Sequence, residues 1–533
     1  MTAPHTPSPM PSSLTLTHVL PSRAEDRFFL FALLSHAALW TIIPIIVSPN
    51  VPIDVIYLHQ DRYELQWGYA NNSSHPPLMA WIAYIIGVLF PHHHAPYIIL
   101  SQISTTLMLF IMWTWTRRHE TPTIACISTL LTQTILHHTI LTPEFNHNVI
   151  LLPLWALLII AFHRCITKNT WVDWLLWGVA VAVAMLAKYT SALLVLSMLL
   201  FLALSPSKRH LLKEKALYLA IALALLLFFP HVLWLIEHDF PTLRYALARA
   251  YDGVTESFVQ RHILSPLAFL AAQLMLIAPL LLLLPLAGSW RIPSKATFLS
   301  LWKEEQQERA FAYVIGCMPL AMAVSLSLVF GLQLRSAWAA PFFLFAGFIA
   351  LTLFIQPNSI ALTPRFKMAW GAVLLLTILA YSIIQLGKPV IAHTIKRTQF
   401  PGDDLAMTLH KEWYDRFQTS IPYVLGDLWV ANNIGFYAPH HPRAVVPSHP
   451  IHPSLSAQEK QEIQRHGGVI IWMEDVSVPH RWVTPPYPAD IILSLFPCIS
   501  PQKTLTIESL SPFPLPPLIF HRVLILPQSH CPT

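Results

Sequence analysis

Three ionisable side chains stand beside long apolar runs, where a charge is costly and marks a functional position. Asp54 lies in Val51-Pro52-Ile53-Asp54-Val55-Ile56-Tyr57. An acid among apolar neighbours has its charged form desolvated and its pKa raised, which suits a general base. A solvated loop acid or a helix cap after Pro52 is the plainer alternative. Glu144 belongs to the polar turn Thr142-Pro143-Glu144-Phe145-Asn146-His147-Asn148. A turn with Asn148 capping the next helix explains part of it, but it needs neither the acid nor His147. Lys188 falls between two short apolar runs and reads as a snorkelling amine or as a cation for a lipid phosphate. Arg335 shares that ambiguity. Arg244 and Arg249 lie in an amphipathic stretch, where headgroup contact explains them as well as an acceptor phosphate does. Trp67-Gly68-Tyr69 precedes His75-Pro76-Pro77. The prolines suit a helix start, at which His75 would meet an anion.

The elements that carry these residues are membrane helices. Of 533 residues, 54% are hydrophobic and 11% charged, with a mean hydropathy of +0.52, whereas soluble domains average roughly 25% charged residues. An ordinary soluble enzyme and a disordered chain are both excluded. The formal charge of +6 shows no Lys/Arg run interleaved with aromatics, so no nucleic acid is expected. Apolar runs at 28–47, 97–116, 123–141, 149–162, 171–187, 191–204, 216–236, 263–286, 310–330, 339–355 and 367–386 predict about eleven spans. The run 77–90 is short, and the positive-inside rule assigns it to a juxtamembrane helix. Crossing there would move every later cationic loop outside.

In that topology the N-terminus is cytoplasmic and Asp54, Glu144 and Lys188 converge on the outer face. The expected fold class is an all-α polytopic membrane domain with a small C-terminal α/β extracytoplasmic domain. The divisions are 1–24, a disordered tail; 25–387, the membrane domain with a first outer loop at 48–95; and 388–533, the outer domain. In the last, strands are expected at 423–430, 469–473 and 518–526 and a helix at 457–465. Cys126, Cys165 and Cys317 read as buried hydrophobes; Cys498 and Cys531 lie in a polar region where a disulfide could form. No Asp-x-Asp pair occurs in any loop, which disfavours a nucleotide-diphosphate sugar held through a metal. A secondary transporter predicts internal repeats and charges near the midplane. No repeat is seen and the charges cluster at one face, which disfavours a transporter of a small polar or anionic solute while leaving it as the alternative; a non-catalytic envelope scaffold is a second rival.

An Asp after the first span, Trp67-Gly68-Tyr69 and His75-Pro76-Pro77-Leu78-Met79-Ala80-Trp81 resemble the first outer loop of family 39 glycosyltransferases of the GT-C class. Pro143-Glu144-Phe145-Asn146-His147-Asn148 and Leu186-Ala187-Lys188-Tyr189-Thr190 are similar to motifs of its bacterial members. That group includes protein O-mannosyltransferases and relatives acting on lipid A. The resemblance implies a GT-C fold and transfer of a sugar from a polyprenyl-phosphate donor to a lipid or protein acceptor at the periplasmic face of the inner membrane. Asp54 would be the base. Glu144 would be a second acid that orients the acceptor or, with Asp54, holds a divalent metal; no cofactor is otherwise implied. Lys188 would hold the donor phosphate, with His75, His147, Tyr69, Tyr189 and Arg335 in the substrate site. Two departures stand out: Asn71–Ser74 reads as an insertion before His75, and the second acid is Glu where relatives commonly have Asp.

Overall fold

The computed structural model describes residues 23–58, 65–69, 75–251, 257–301, 303–392, 395–446, 455–474 and 492–531. The tail at 1–22 and the 71–74 segment lie outside them. The helices in chain order are α1 (Ala24–Val47), α2 (Ile53–Leu58), α3 (Leu78–Leu89), α4 (Ala95–His119), α5 (Pro122–Gln133), α6 (His147–Lys168), α7 (Trp171–Ala187), α8 (Ser191–Leu204), α9 (Lys215–Glu237) and α10 (Pro241–Ala250). There follow α11 (Ser265–Leu276), α12 (Ala278–Leu283), α13 (Lys295–Ser300), α14 (Gln307–Phe330), α15 (Ala346–Phe354), α16 (Pro364–Ser382), α17 (Lys388–Ala392), α18 (Gly402–Phe417), α19 (Leu428–Tyr437) and α20 (Ala457–His466).

Six helices are long and apolar enough to cross a membrane, and up to eight spans result if two bent pairs each count as one. In α1, Phe29, Ala32, Leu33, His36, Trp40, Pro44 and Val47 are buried at helical spacing, while Phe31, Leu34, Ile42 and Ile46 are more than half exposed. Such an inside face and apolar outside face suit a helix in lipid. All eleven expected runs find a helical counterpart, with corrections. The run 123–141 is not one helix: α5 stops at Gln133 and a 3-10 turn follows at Leu136–His138. There His137 bonds Gln273 at 2.8 Å, and the His138 ring contacts the Ala340 carbonyl at 3.2 Å, so tertiary partners replace helical ones. The runs 263–286 and 339–355 are bent by 49° and 64°. Pro279 opens the helix after the first break, without an N–H to continue the ladder across it, and the first half of the second pair is a 3-10 helix, Ser336–Phe343. Helices α7 and α8, at 17 and 14 residues, are short for a bilayer of about 30 Å. Cys126 and Cys165 are buried as expected, but Cys317 is exposed, an apolar thiol on the bundle's outer side.

The C-terminal part is α/β. Strands β1 (Tyr423–Gly426), β2 (Arg443–Val445), β3 (Gly468–Met473), β4 (Lys503–Ile507) and β5 (Leu518–Ile525) order as β2-β1-β3-β5-β4. The β1 pairs with β2 and β3 are parallel, and those of β5 with β3 and β4 antiparallel. The expected strand 423–430 ends at Gly426, because the Asp427 carboxylate accepts from the Trp429 and Val430 amides, both at 3.0 Å, and caps α19. Cys498 and Cys531 form a disulfide.

Candidate active site

The polar groups meet at one end of the helical bundle. Asp54 is the second residue of α2. The chain leaving α1 is fixed first: Ser48 bonds Tyr381 of α16 at 2.9 Å. Asn50, buried, then uses both ends of its amide. Its nitrogen donates to the Arg397 carbonyl at 3.0 Å and to Asn433 Oδ1 at 3.1 Å. Its oxygen accepts from the Val51 amide and the Tyr437 hydroxyl, both at 2.8 Å. A fully satisfied buried amide specifies position strongly. Asn433 and Tyr437 lie on α19, so the C-terminal α/β part sets the segment that carries Asp54.

The second acid comes from the turn before α6. Gln102 of α4 donates to Thr142 at 3.2 Å. The helix is capped by Asn146, whose side chain accepts from the Asn148 and Val149 amides at 2.9 and 3.2 Å; the expected cap, Asn148, is thereby free for another task. Glu144 Oε1 accepts from the Ile53 amide at 3.3 Å, and its Oε2 is ion-paired with Arg397. Those three, with Pro52, Tyr381 and Gln385, help line a cavity of about 310 Å³. Both Glu144 oxygens are engaged, one by an arginine, and this donor set does not fit a divalent ion with Asp54.

Lys188 lies at the α7–α8 junction and is only 7% exposed. Its amine donates to Asn148 Oδ1 at 2.6 Å and sits 5.4 Å from the Trp338 ring centre. Burial lowers its pKa to about 7, opposed by the Asp54 charge. Desolvation, with Glu144 adding to it, raises the Asp54 carboxyl to about 6, while Arg397 and Lys188 oppose the rise. The two desolvated groups are thus shifted toward neutrality in opposite senses, and each opposes the other's shift. His75 stacks on His147 with ring centres 3.8 Å apart. Burial, reinforced by His147, Lys188 and Arg249, keeps the His75 ring well below its usual pKa. Nδ1 of each ring lacks a hydrogen-bond partner among the described residues.

Tyr189 belongs to an adjoining network. His231 Nδ1 contacts the Trp67 carbonyl at 2.5 Å, so that nitrogen carries the proton and Nε2 accepts from the Tyr189 hydroxyl at 2.7 Å. The hydroxyl in turn accepts from Thr242 at 3.0 Å. This anchors Trp67-Gly68-Tyr69 against α9, with Tyr69 buried. Gly68 is required there: a Cβ would fall 2.1 Å from the Trp234 ring. Arg335 is exposed, two residues before Ala337, which lines the cavity. Sequence reasoning missed Asn50, His231 and Arg397, and gave Asn148 a capping role in place of its bond to Lys188. Of the three missed, Arg397 left a signal, a basic pair with Lys396 just past the last span.

A family model described as dolichyl-phosphate-mannose-protein mannosyltransferase matches residues 74–234, a stretch that includes His75, Glu144 and Lys188. Two crystal structures of ArnT from Cupriavidus metallidurans share the fold. The one bound to undecaprenyl phosphate matches with a TM-score of 0.62 at 12% identity, covering 95% of this chain and 99% of that one. The apo state gives 0.55 at 11% identity, covering 96% and 100%. No curated protein matches the sequence.

Proposed function

We propose that the protein transfers a sugar from a polyprenyl-phosphate donor to an envelope acceptor, a glycolipid such as lipid A or a protein, at the periplasmic face of the inner membrane. The observation that carries this reading is the buried Lys188 amine, bonded to Asn148 and electrostatically coupled to the desolvated Asp54 carboxyl. Asp54 takes the proton of the acceptor hydroxyl. The acceptor oxygen bonds to the anomeric carbon as the bond from that carbon to the phosphate oxygen breaks, with inversion. The polyprenyl phosphate leaves as an anion, stabilised by Lys188. The Arg397 guanidinium, paired with Glu144 in the cavity wall, adds a second cation for the leaving charge. Glu144 positions that arginine and the start of α2. His75 and His147 present neutral ring edges to the sugar hydroxyls, while Tyr189 and Tyr69 wall the other side. Arg335 meets the lipid headgroups at the rim.

The test uses membranes carrying wild type, Asp54→Asn or Lys188→Ala, supplied with radiolabelled polyprenyl-phosphate sugars. Label should pass to the lipid or protein fraction with wild type alone. Transfer that survives both substitutions would remove the catalytic assignment. The cationic loops support an outside C-terminal part, and a periplasm-only reporter fused after residue 400 should be active.

A further inference from the structure

At the other end of the bundle, three side chains on three helices face one another. His119 ends α4, His163 lies near the end of α6, and Glu308 opens α14. His163 is sixteen residues beyond His147, about 24 Å along α6 at 1.5 Å per residue, so this cluster is separate from the candidate active site. The His163 Nε2 stands 2.7 Å from Glu308 Oε2 and the His119 Nδ1 3.8 Å from Oε1. One donor atom from each residue falls within 4.8 Å of the others. We propose that His119, His163 and Glu308 form a binding site for a divalent first-row transition metal of the zinc class, joining the ends of three helices.

The chemistry of the donors fits. Two imidazoles and one carboxylate, with a fourth place for water, are a common zinc set. Bonds of about 2.0–2.1 Å put ligand atoms about 3.3 Å apart in a tetrahedron, between the two spacings seen here, so small side-chain movements close the site. The spacing is held by other contacts. Arg309, next to Glu308, makes a two-point ion pair with Glu120, next to His119, at 2.8 and 3.2 Å. Trp115 packs against both imidazoles, with ring centres 4.9 and 5.8 Å away. The His163 side chain is 10% exposed, whereas His119 and Glu308 are 22% and 38% exposed, which leaves a path for an ion. On binding, the proton between His163 and Glu308 is displaced to the second ring nitrogen or to solvent.

Full-length protein in detergent, stripped with a chelator, would be titrated with zinc against a chromophoric competitor. Wild type should bind one zinc that His119→Gln and Glu308→Gln each weaken at least tenfold. Glu144→Gln should keep it, which separates this site from the cleft. Cobalt should give the intense visible band of a tetrahedral complex in wild type and lose it in both variants, and magnesium should not compete. His119→Cys, which offers a thiolate at the same place, should restore binding and so separates ligation from misfolding. Zinc affinity and stoichiometry unchanged in His119→Gln and Glu308→Gln would overturn the proposal. Failure of His119→Cys to recover binding would do the same.

Discussion

Replacing Lys188 with Met removes a buried amine of which donor binding would make direct use. A fall from 10.5 to about 7 is 3.5 pKa units, about 5 kcal/mol against the charged form at 1.36 kcal/mol per unit. A lipid phosphate near the amine restores its proton; if the bound pKa rises by about 2 units, linkage makes wild-type affinity fall about 20-fold between pH 6 and 8.5. The ligand cannot produce that fall, because a phosphomonoester only gains negative charge above its second pKa near 6. Lys188→Met should bind more weakly and with a flat or rising profile. The sign for stability is the reverse. The folded pKa lies below the unfolded one, so the amine destabilises the fold most below pH 7 and the penalty fades as pH rises toward 10.5. At pH 7, Lys188→Met should therefore melt higher, although it loses the bond to Asn148. Fluorescence titration with a polyprenyl phosphate across pH, paired with melting curves, measures both. A wild-type affinity that does not change from pH 6 to 8.5, or a Lys188→Met profile parallel to it, would refute the phosphate role.

Asp54→Asn should lower transfer by about 10²–10⁴-fold while lipid-phosphate affinity stays near wild type, and the wild-type rate should rise through pH 6 as the carboxyl ionises. Arg397→Gln should cost at most about 1 kcal/mol in stability, because both partners of its ion pair are about a third exposed; steady-state kinetics should still show a loss of transfer. Gly68→Ala should destabilise by about 1–3 kcal/mol by forcing a methyl into Trp234, seen as a lower melting temperature and an altered Tyr189–His231 environment. Cys531→Ser opens a crosslink between residues 33 apart. A loop of that size is worth about 3–4 kcal/mol, so reductant should lower the melting temperature of wild type but not of Cys531→Ser.

The helical architecture was legible because hydrophobic runs of span length have few other uses, and Asp54, Glu144 and Lys188 stood out as charges among them. The bends were less legible. The end of α5 depends on partners such as Gln273 and Ala340 that lie far away in sequence. Nothing near Asn148 shows that Lys188 will take its side chain, and nothing near His231 shows that Tyr189 and the Trp67 carbonyl will flank it. The strand run at 423–430 looked continuous because Leu428, Trp429 and Val430 suit a strand. The Asp427 cap outweighed their preference. Polar groups paired across hundreds of residues leave no periodicity to read.

Asn50 makes four hydrogen bonds, two of them to α19, nearly four hundred residues downstream. This has a consequence for the order in which the protein is made. A nascent chain that has threaded all its apolar segments into the bilayer still lacks Arg397 and the helix that clamps the start of α2. Until synthesis passes residue 437, the segment that carries Asp54 is held only through Ser48–Tyr381 and Ile53–Glu144, without the α19 clamp. A chain stopped at residue 390 would hold every span and still lack Arg397 and Thr398, so its cavity would be left without part of its wall.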